Sequence, residues 1–194
     1  MLLLDRPASE VLHASLTLAE FLALPEDTRC EIVDGILRPM ATPSELHREV
    51  QKYLTWRLTE QRPKDLRVSW ELSVIFQVIP PTAYIPDVLV YRPRPAGTGG
   101  TSANSVPCDV LIAVEIVSPG SQTADRYEKP VQYARNGIPH YWRVEVDPAL
   151  EIHTHRLVDG AYQPAFRFGR GTDLADPALP WLDIDVDGLL GELD

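Results

Sequence analysis

The sequence predicts an α/β fold: a mixed β-sheet flanked by helices, with a β-hairpin towards each end of the chain. Three observations predict it. Two Asp-Gly pairs, Asp34-Gly35 and Asp159-Gly160, each separate apolar runs at tight-hairpin spacing. The run from Asp109 to Val117 is nearly continuous in apolar residues, the pattern of a central strand covered on both faces. Segments of helical periodicity intermix with strand-like runs, as in layered folds of both element types. With 194 residues, 44% of them hydrophobic and 24% charged, the chain is long enough to bury a core. It is expected to form one domain over residues 1–194, with residues 1–14 as a flexible N-terminal segment.

The elements follow in order. Thr17-Leu18-Ala19-Glu20 has the capping-box pattern and opens a short helix with Leu18, Phe21 and Leu22 on its apolar side, ended by Pro25. Cys30 to Val33 and Ile36 to Arg38 are the arms of the first hairpin. Ser44 caps a longer helix in which Leu46, Val50, Leu54 and Leu58 recur every four residues, and which stops before Pro63. Val68–Val74 and Ile85–Tyr91 predict strands, the second rich in β-branched and aromatic residues. Pro93 to Pro107, carrying Pro, Gly, Ser, Thr and Asn, reads as a mobile loop. Ser121 to Asn136 predicts a helix that Pro130 interrupts, so that it starts late or has an irregular first turn; Asn136-Gly137 stops it. His140–Val146 is a further strand, Leu150–Val158 and Ala161–Phe168 are the second hairpin, and Trp181–Ile184 is suited to capping the core.

Composition narrows the function. No apolar run approaches the length of a membrane span, and the opening Met-Leu-Leu-Leu is cut off by Asp5 and Arg6, so a cytoplasmic location is expected. Cys30 and Cys108 form no CxxC pair, which predicts free thiols and excludes a cysteine-based zinc site. A net charge of −10 argues against a protein that holds nucleic acid mainly by neutralising phosphates. It does not argue against a nuclease in which a metal ion brings positive charge to one spot.

Glu115 is the most informative residue. It lies near the end of the longest apolar run, where an ionised carboxylate costs several kcal/mol unless it is paired or coordinates a cation. An arginine partner, or a strand end that reaches solvent, would also account for it. Asp87 follows Pro86 and directly precedes Val-Leu-Val-Tyr, an unfavoured place for Asp in a strand, although a turn-closing Asp after Pro is common. Two carboxylates from neighbouring strands suit Mg²⁺, which takes one or two of them and leaves positions for water and phosphate oxygens. His153 and His155 share a strand face without a third ligand nearby, as on a solvated hairpin. Arg48, Lys52, Arg57, Arg62, Lys64 and Arg67 read as a solvated basic face.

Pro86-Asp87 followed by Glu115-Ile116-Val117 resembles the PD-(D/E)xK nuclease signature, with Val117 where that signature has lysine. The wider pattern resembles the Uma-type family, described as putative restriction endonucleases of that superfamily. The residues that carry the likeness are Glu31-Ile32-Val33-Asp34-Gly35, Met40, Pro43-Ser44 and His47 in the first half, then Val114 to Pro119, Asp125 to Lys129, Tyr133, Gly137 and Tyr141-Trp142. The likeness spans about residues 15 to 190 and implies a restriction-endonuclease-like fold. It implies Asp87 and Glu115 as ligands of Mg²⁺ or Mn²⁺, helped by the carbonyl of Ile116. Lys129 would take the part of the missing strand lysine, although Asp125 and Lys129, four apart, read by themselves as an ordinary surface ion pair. Glu31 would be an additional acidic residue of the catalytic site that helps position metal or water, and His47 a phosphate contact or a residue at the edge of the site. The implied substrate is DNA, and a homodimer would allow both strands to be cut. The main alternative is a catalytically inactive nuclease-fold protein acting as a binding or regulatory module. A metal-dependent hydrolase acting on other substrates is a third.

Overall fold

The computed structural model describes residues 15–25, 28–94, 104–105 and 109–191. The N-terminal segment 1–14, most of the loop 93–107 and Cys108 lie outside the described residues. The cap at Thr17 forms as expected: α1 (Leu18–Leu22) opens with a reciprocal bond pair between Thr17 and Glu20. Only Phe21 of its apolar side is buried, and Leu22 is 44% exposed, because the helix is too short to present a full stripe. In the first hairpin, β1 (Cys30–Val33) pairs with β2 (Ile36–Pro39) through a turn in which Asp34 has φ 51 and Gly35 φ 83. Two positive φ values in succession match the twist of the flanking strands, and Asp-Gly adopts them at low cost. Cys30 is a free thiol.

Ser44 accepts the His47 N–H and starts α2 (Glu45–Gln61). Its buried side is His47, Val50, Leu54, Thr55 and Leu58. Leu46, which the four-residue repeat put in the core, is only partly buried and His47 is buried instead, for reasons that lie in the site described below.

The segment 67–91 departs from expectation. It was expected to hold two strands and forms four: β3 (Arg67–Trp70), β4 (Ser73–Val78), β5 (Pro81–Tyr84) and β6 (Val88–Tyr91). The predicted strand 68–74 breaks at Glu71, whose φ of 51 turns the chain out of one sheet into another. The predicted strand 85–91 begins only at Val88, because Ile85-Pro86-Asp87 carries the chain back. After β7 (Asn104–Ser105) comes the central strand β8 (Val110–Ile116), then a π turn (Ala124–Glu128) running into α3 (Lys129–Arg135), β9 (His140–Glu145), β10 (Glu151–Val158) and β11 (Ala161–Gly169). The second Asp-Gly hairpin forms with Asp159 at φ 49 and Gly160 at φ 80. A further hairpin, β12 (Asp173–Asp176) with β13 (Leu179–Asp185), was not foreseen beyond its apolar end.

The main sheet has the order β11-β10-β9-β8-β6-β3; β8 and β9 are parallel, joined across α3, and its other pairs are antiparallel. The second sheet has the order β2-β1-β5-β4-β7. Alternation along β8 sorts the core. Ile112, Val114 and Ile116 face Val50, Leu54 and Leu58 of α2 together with Leu182 and Ile184 of β13. Ala113 faces the other way, towards Tyr133 and Ile138 and towards Val33, Val74 and Tyr84 of the second sheet. The central strand is thus covered on both sides, as its unbroken apolar run required. Among the described residues, no helix is long and apolar enough to cross a membrane.

Candidate active site

Three local irregularities bring the polar groups together. The first is the sheet switch at Ile85-Pro86-Asp87. The β6–β8 register pairs Val88 with Val114, so one step outward sets Asp87 across from Glu115. Asp87 Oδ2 accepts the Ile116 N–H at 2.7 Å, and its Oδ1 lies 3.2 Å from His47 Nε2. Gln51, one turn further along α2, donates to the Asp87 carbonyl at 2.9 Å. Helix spacing of four puts His47 and Gln51 on one line, which clamps Asp87 from above.

The second is β1. Glu31, on this short strand, is buried at 7% exposure. Its Oε1 accepts the Ile85 N–H at 3.1 Å and so stitches the second sheet to the switch.

The third is the π turn. The Lys129 N–H reaches back five residues to the Ala124 carbonyl. In that register Pro130, which lacks an N–H, leaves the Asp125 carbonyl without a donor, and the hydroxyl of Tyr141 supplies one. The irregular first turn predicted from Pro130 is therefore real. It sets Asp125, Lys129 and Tyr133 on the buried side of a continuous helical segment. The helix ends in a Schellman motif: Gly137 N–H to the Ala134 carbonyl at 3.0 Å and Ile138 N–H to the Tyr133 carbonyl at 3.1 Å.

Lys129 is the hub. Its Nζ lies 3.0 Å from Glu31 Oε1, 3.0 Å from Glu115 Oε2 and 3.2 Å from Asp125 Oδ1. The Asp125–Lys129 pair exists, but as a buried contact and not on the surface, with Asp125 1% and Lys129 5% exposed. The Tyr133 hydroxyl donates to Glu115 Oε1. Together Glu31, His47, Asp87, Glu115, Asp125 and Lys129 line one cleft of about 210 Å³. Val117, the usual lysine position, is buried next to the end of β8, with its N–H bonded to the Val144 carbonyl, and does not line that cleft.

Electrostatics follow from this crowding. Burial holds the Glu115 carboxyl well above the usual range; Lys129 opposes that, and Asp125, Asp87 and Glu31 add to it. Burial likewise raises Glu31 and Asp125, again against Lys129. For Lys129 burial works against the ammonium, but Glu115, Glu31, Asp125 and Asp87 outweigh it and keep the amine protonated. Three carboxylates thus share one buried ammonium, with Asp87 a fourth acidic group nearby; Arg29 and Arg38, which also line the cleft, are engaged by Glu71 and Glu128, so its buried part is short of positive charge.

Hard oxygen donors with a charge deficit fit a divalent cation. Among the described residues no three His, Cys, Asp or Glu groups stand as a ready cage. Mg²⁺ does not require one, since two carboxylates with water and substrate oxygens complete its shell.

The five residues that the family resemblance marked, Glu31, His47, Asp87, Glu115 and Lys129, meet in this cleft. Sequence reasoning missed the parts of Gln51 and Tyr84, whose ring lies 5.9 Å from Lys129 Nζ. It left Asp125 as a surface partner and gave Tyr133 no contact. The four-residue spacing of Asp125, Lys129 and Tyr133 held the signal, and so did that of His47 and Gln51. His153 and His155 lie outside this cleft on the half-buried face of β10, with Glu151 and the Tyr141 carbonyl as partners.

A solved structure described as a putative nuclease belonging to DUF820 from Anabaena variabilis is similar in fold, with a TM-score of 0.70. It is 18% identical, and the match covers 90% of this chain and 97% of that one. No curated protein matches. The family model Uma2, described as "Putative restriction endonuclease", matches residues 18–187, a span that contains every residue of the cleft, and the chain belongs to that family.

Proposed function

We propose that this chain is a divalent-metal-dependent endonuclease that hydrolyses phosphodiester bonds in DNA. The observation that supports the reading best is the meeting of Asp87 and Glu115 from adjacent strands beside a buried, protonated Lys129. Asp87 and Glu115, with the Ile116 carbonyl, would hold Mg²⁺ or Mn²⁺. A bound cation of this kind supplies Lewis acidity towards a phosphate oxygen and towards the attacking water.

The chain's own residues do the rest. Lys129 offers a fixed positive charge where negative charge develops on the phosphate, and orients the nucleophile. Glu31 and Asp125 hold that amine in place from two sides. Tyr133 fixes Glu115, and His47 with Gln51 fixes Asp87. His47 is therefore better described as a positioning residue than as a phosphate contact. Lys129 stands in for the lysine absent at Val117, because an amine need only reach the cleft from some nearby backbone.

The test is cleavage of supercoiled, linear duplex and single-stranded DNA in Mg²⁺ or Mn²⁺ by the natural chain and by Asp87→Ala. Metal-dependent cleavage lost in Asp87→Ala is the expected result. Equal inertness of both on every DNA form would overturn the proposal and favour a binding or regulatory role for the fold.

A further inference from the structure

Two large aromatic side chains lie open to solvent beside this cleft. Trp56 on α2 is 47% exposed, and Trp70 at the end of β3 is 62% exposed. They line a common groove of about 340 Å³ with Arg48, Gln51 and Lys52. Exposed tryptophans that share a groove mark a binding surface; the Arg57 guanidinium lies over the Trp56 ring at 4.6 Å from its centroid and leaves the rest of that ring to solvent.

The groove lies next to the candidate active site, and one side chain links the two. Gln51 lines it and also donates to the Asp87 carbonyl. Arg48, Lys52 and Trp56 follow at intervals of four, on a ridge of α2 next to the one that carries His47 and Gln51. That ridge runs for about 12 Å along the helix. Lys52 is paired with Glu49, whereas the Arg48 guanidinium has no acidic partner among the described residues. β3 is the edge strand of the main sheet, so nothing in that sheet lies beyond Trp70.

Aromatic faces with a cation alongside suit one class of ligand in particular: nucleobases that are not already stacked in a duplex. The overall charge points the same way. A chain of net charge −10 cannot lean on phosphate neutralisation for affinity, and base stacking is the alternative it has.

We propose that the Arg48–Lys52–Trp56 ridge and Trp70 bind the unpaired bases of single-stranded DNA and lead that strand into the cleft at Asp87. The second half of this statement rests on the nuclease reading; the first half does not.

The experiment is fluorescence anisotropy of labelled oligodeoxythymidine and of a blunt duplex, with the full chain in EDTA so that no cleavage occurs. Tighter binding of the single strand is expected. Trp56→Ala and Trp70→Ala should each weaken it about tenfold, with Trp→Phe retaining most of the affinity and duplex binding little changed. Arg48→Glu should weaken binding and flatten its salt dependence by about one ion. Circular dichroism melts check that the variants fold, and Arg48→Glu carries the test if an Ala variant does not.

Unchanged single-strand binding in both Trp variants would overturn the proposal. So would equal losses on single strand and duplex, or a dimer that Trp56→Ala converts to monomer, which would make the face a contact between copies. Trp-dependent binding without any cleavage in Mg²⁺ or Mn²⁺ would sink the nuclease reading and the passage into the cleft with it, and leave the single-strand binding standing.

Discussion

Lys129→Met keeps the length of the side chain and removes its charge, so it isolates what the ammonium does. In the folded chain that ammonium has carboxylate oxygens at 3.0, 3.0 and 3.2 Å. At an effective dielectric of about 20, each such contact is worth about 5.5 kcal/mol before desolvation is counted. The net effect is smaller, because burial of the amine opposes the attraction and the orphaned carboxylates escape by taking up protons. Removing one partner from a buried ionic cluster costs about 3–5 kcal/mol. For a chain of this length that lowers Tm by on the order of 10 °C. The pH dependence has a definite sign. Glu31, Glu115 and Asp125 all lie above their ordinary values, and Lys129 is what restrains each of them. Without it they rise further. A raised carboxyl favours the fold at low pH and disfavours it as pH climbs through the raised value. The deficit of Lys129→Met is therefore largest near neutrality and shrinks towards the usual carboxylate range. Millimolar Mn²⁺ should restore Tm more in the variant than in the natural chain, since cation binding to the folded state adds stability. Thermal melts over a pH series, with and without Mn²⁺, read all three effects. A variant that melts within a couple of degrees of the natural chain at every pH would show that Lys129 is not the counterion of the cluster.

Three further outcomes follow from the same contacts. Glu115→Gln should flatten the stability–pH curve above the ordinary Glu value of 4.5, because the natural chain loses stability as pH climbs from there through the raised value of its buried carboxyl; urea unfolding at acid and neutral pH checks it, and parallel curves would count against the assignment. Tyr133→Phe removes the donor to Glu115 Oε1 inside the core and should cost about 1.5–3 kcal/mol in urea denaturation. A loss below about 0.5 kcal/mol would mean the bond carries little. His47→Ala leaves Asp87 Oδ1 without its side-chain partner and should raise the metal concentration for half-maximal cleavage about tenfold, with KM for DNA unchanged. The reverse pattern would return His47 to the role of a substrate contact.

Much of this molecule was legible because its signals are local. The capping box at Thr17, the cap at Ser44, the two Asp-Gly turns and the Asn136-Gly137 stop each depend on a few neighbouring residues, and each forms. The carboxylate in the apolar run at Glu115 signalled a partner for an equally simple reason, since an unpaired charge is costly there, and Lys129 and Tyr133 are the partners it has.

What local pattern could not convey was which sheet each strand joins. Val68 to Tyr91 reads as two strands, Val68–Val74 and Ile85–Tyr91, yet Glu71 and Pro86 divide it between two sheets, and those breaks create the cleft. Alternation tells which residues share a face, not where the chain changes sheet. The same limit hid the burial of Asp125 and Lys129. Four-residue spacing places them together on a helix, but only packing of that helix against β1 and β8 turns the pair inward, towards Glu31 and Glu115. The sequence by itself thus determined the caps, the turns, the central strand and the identity of the acidic residues, because those follow from short-range sterics and the cost of burying charge. The tertiary structure alone decided the shared environment of Lys129 and the meeting of Trp56 and Trp70 in one groove, because both depend on contacts between segments far apart in the chain.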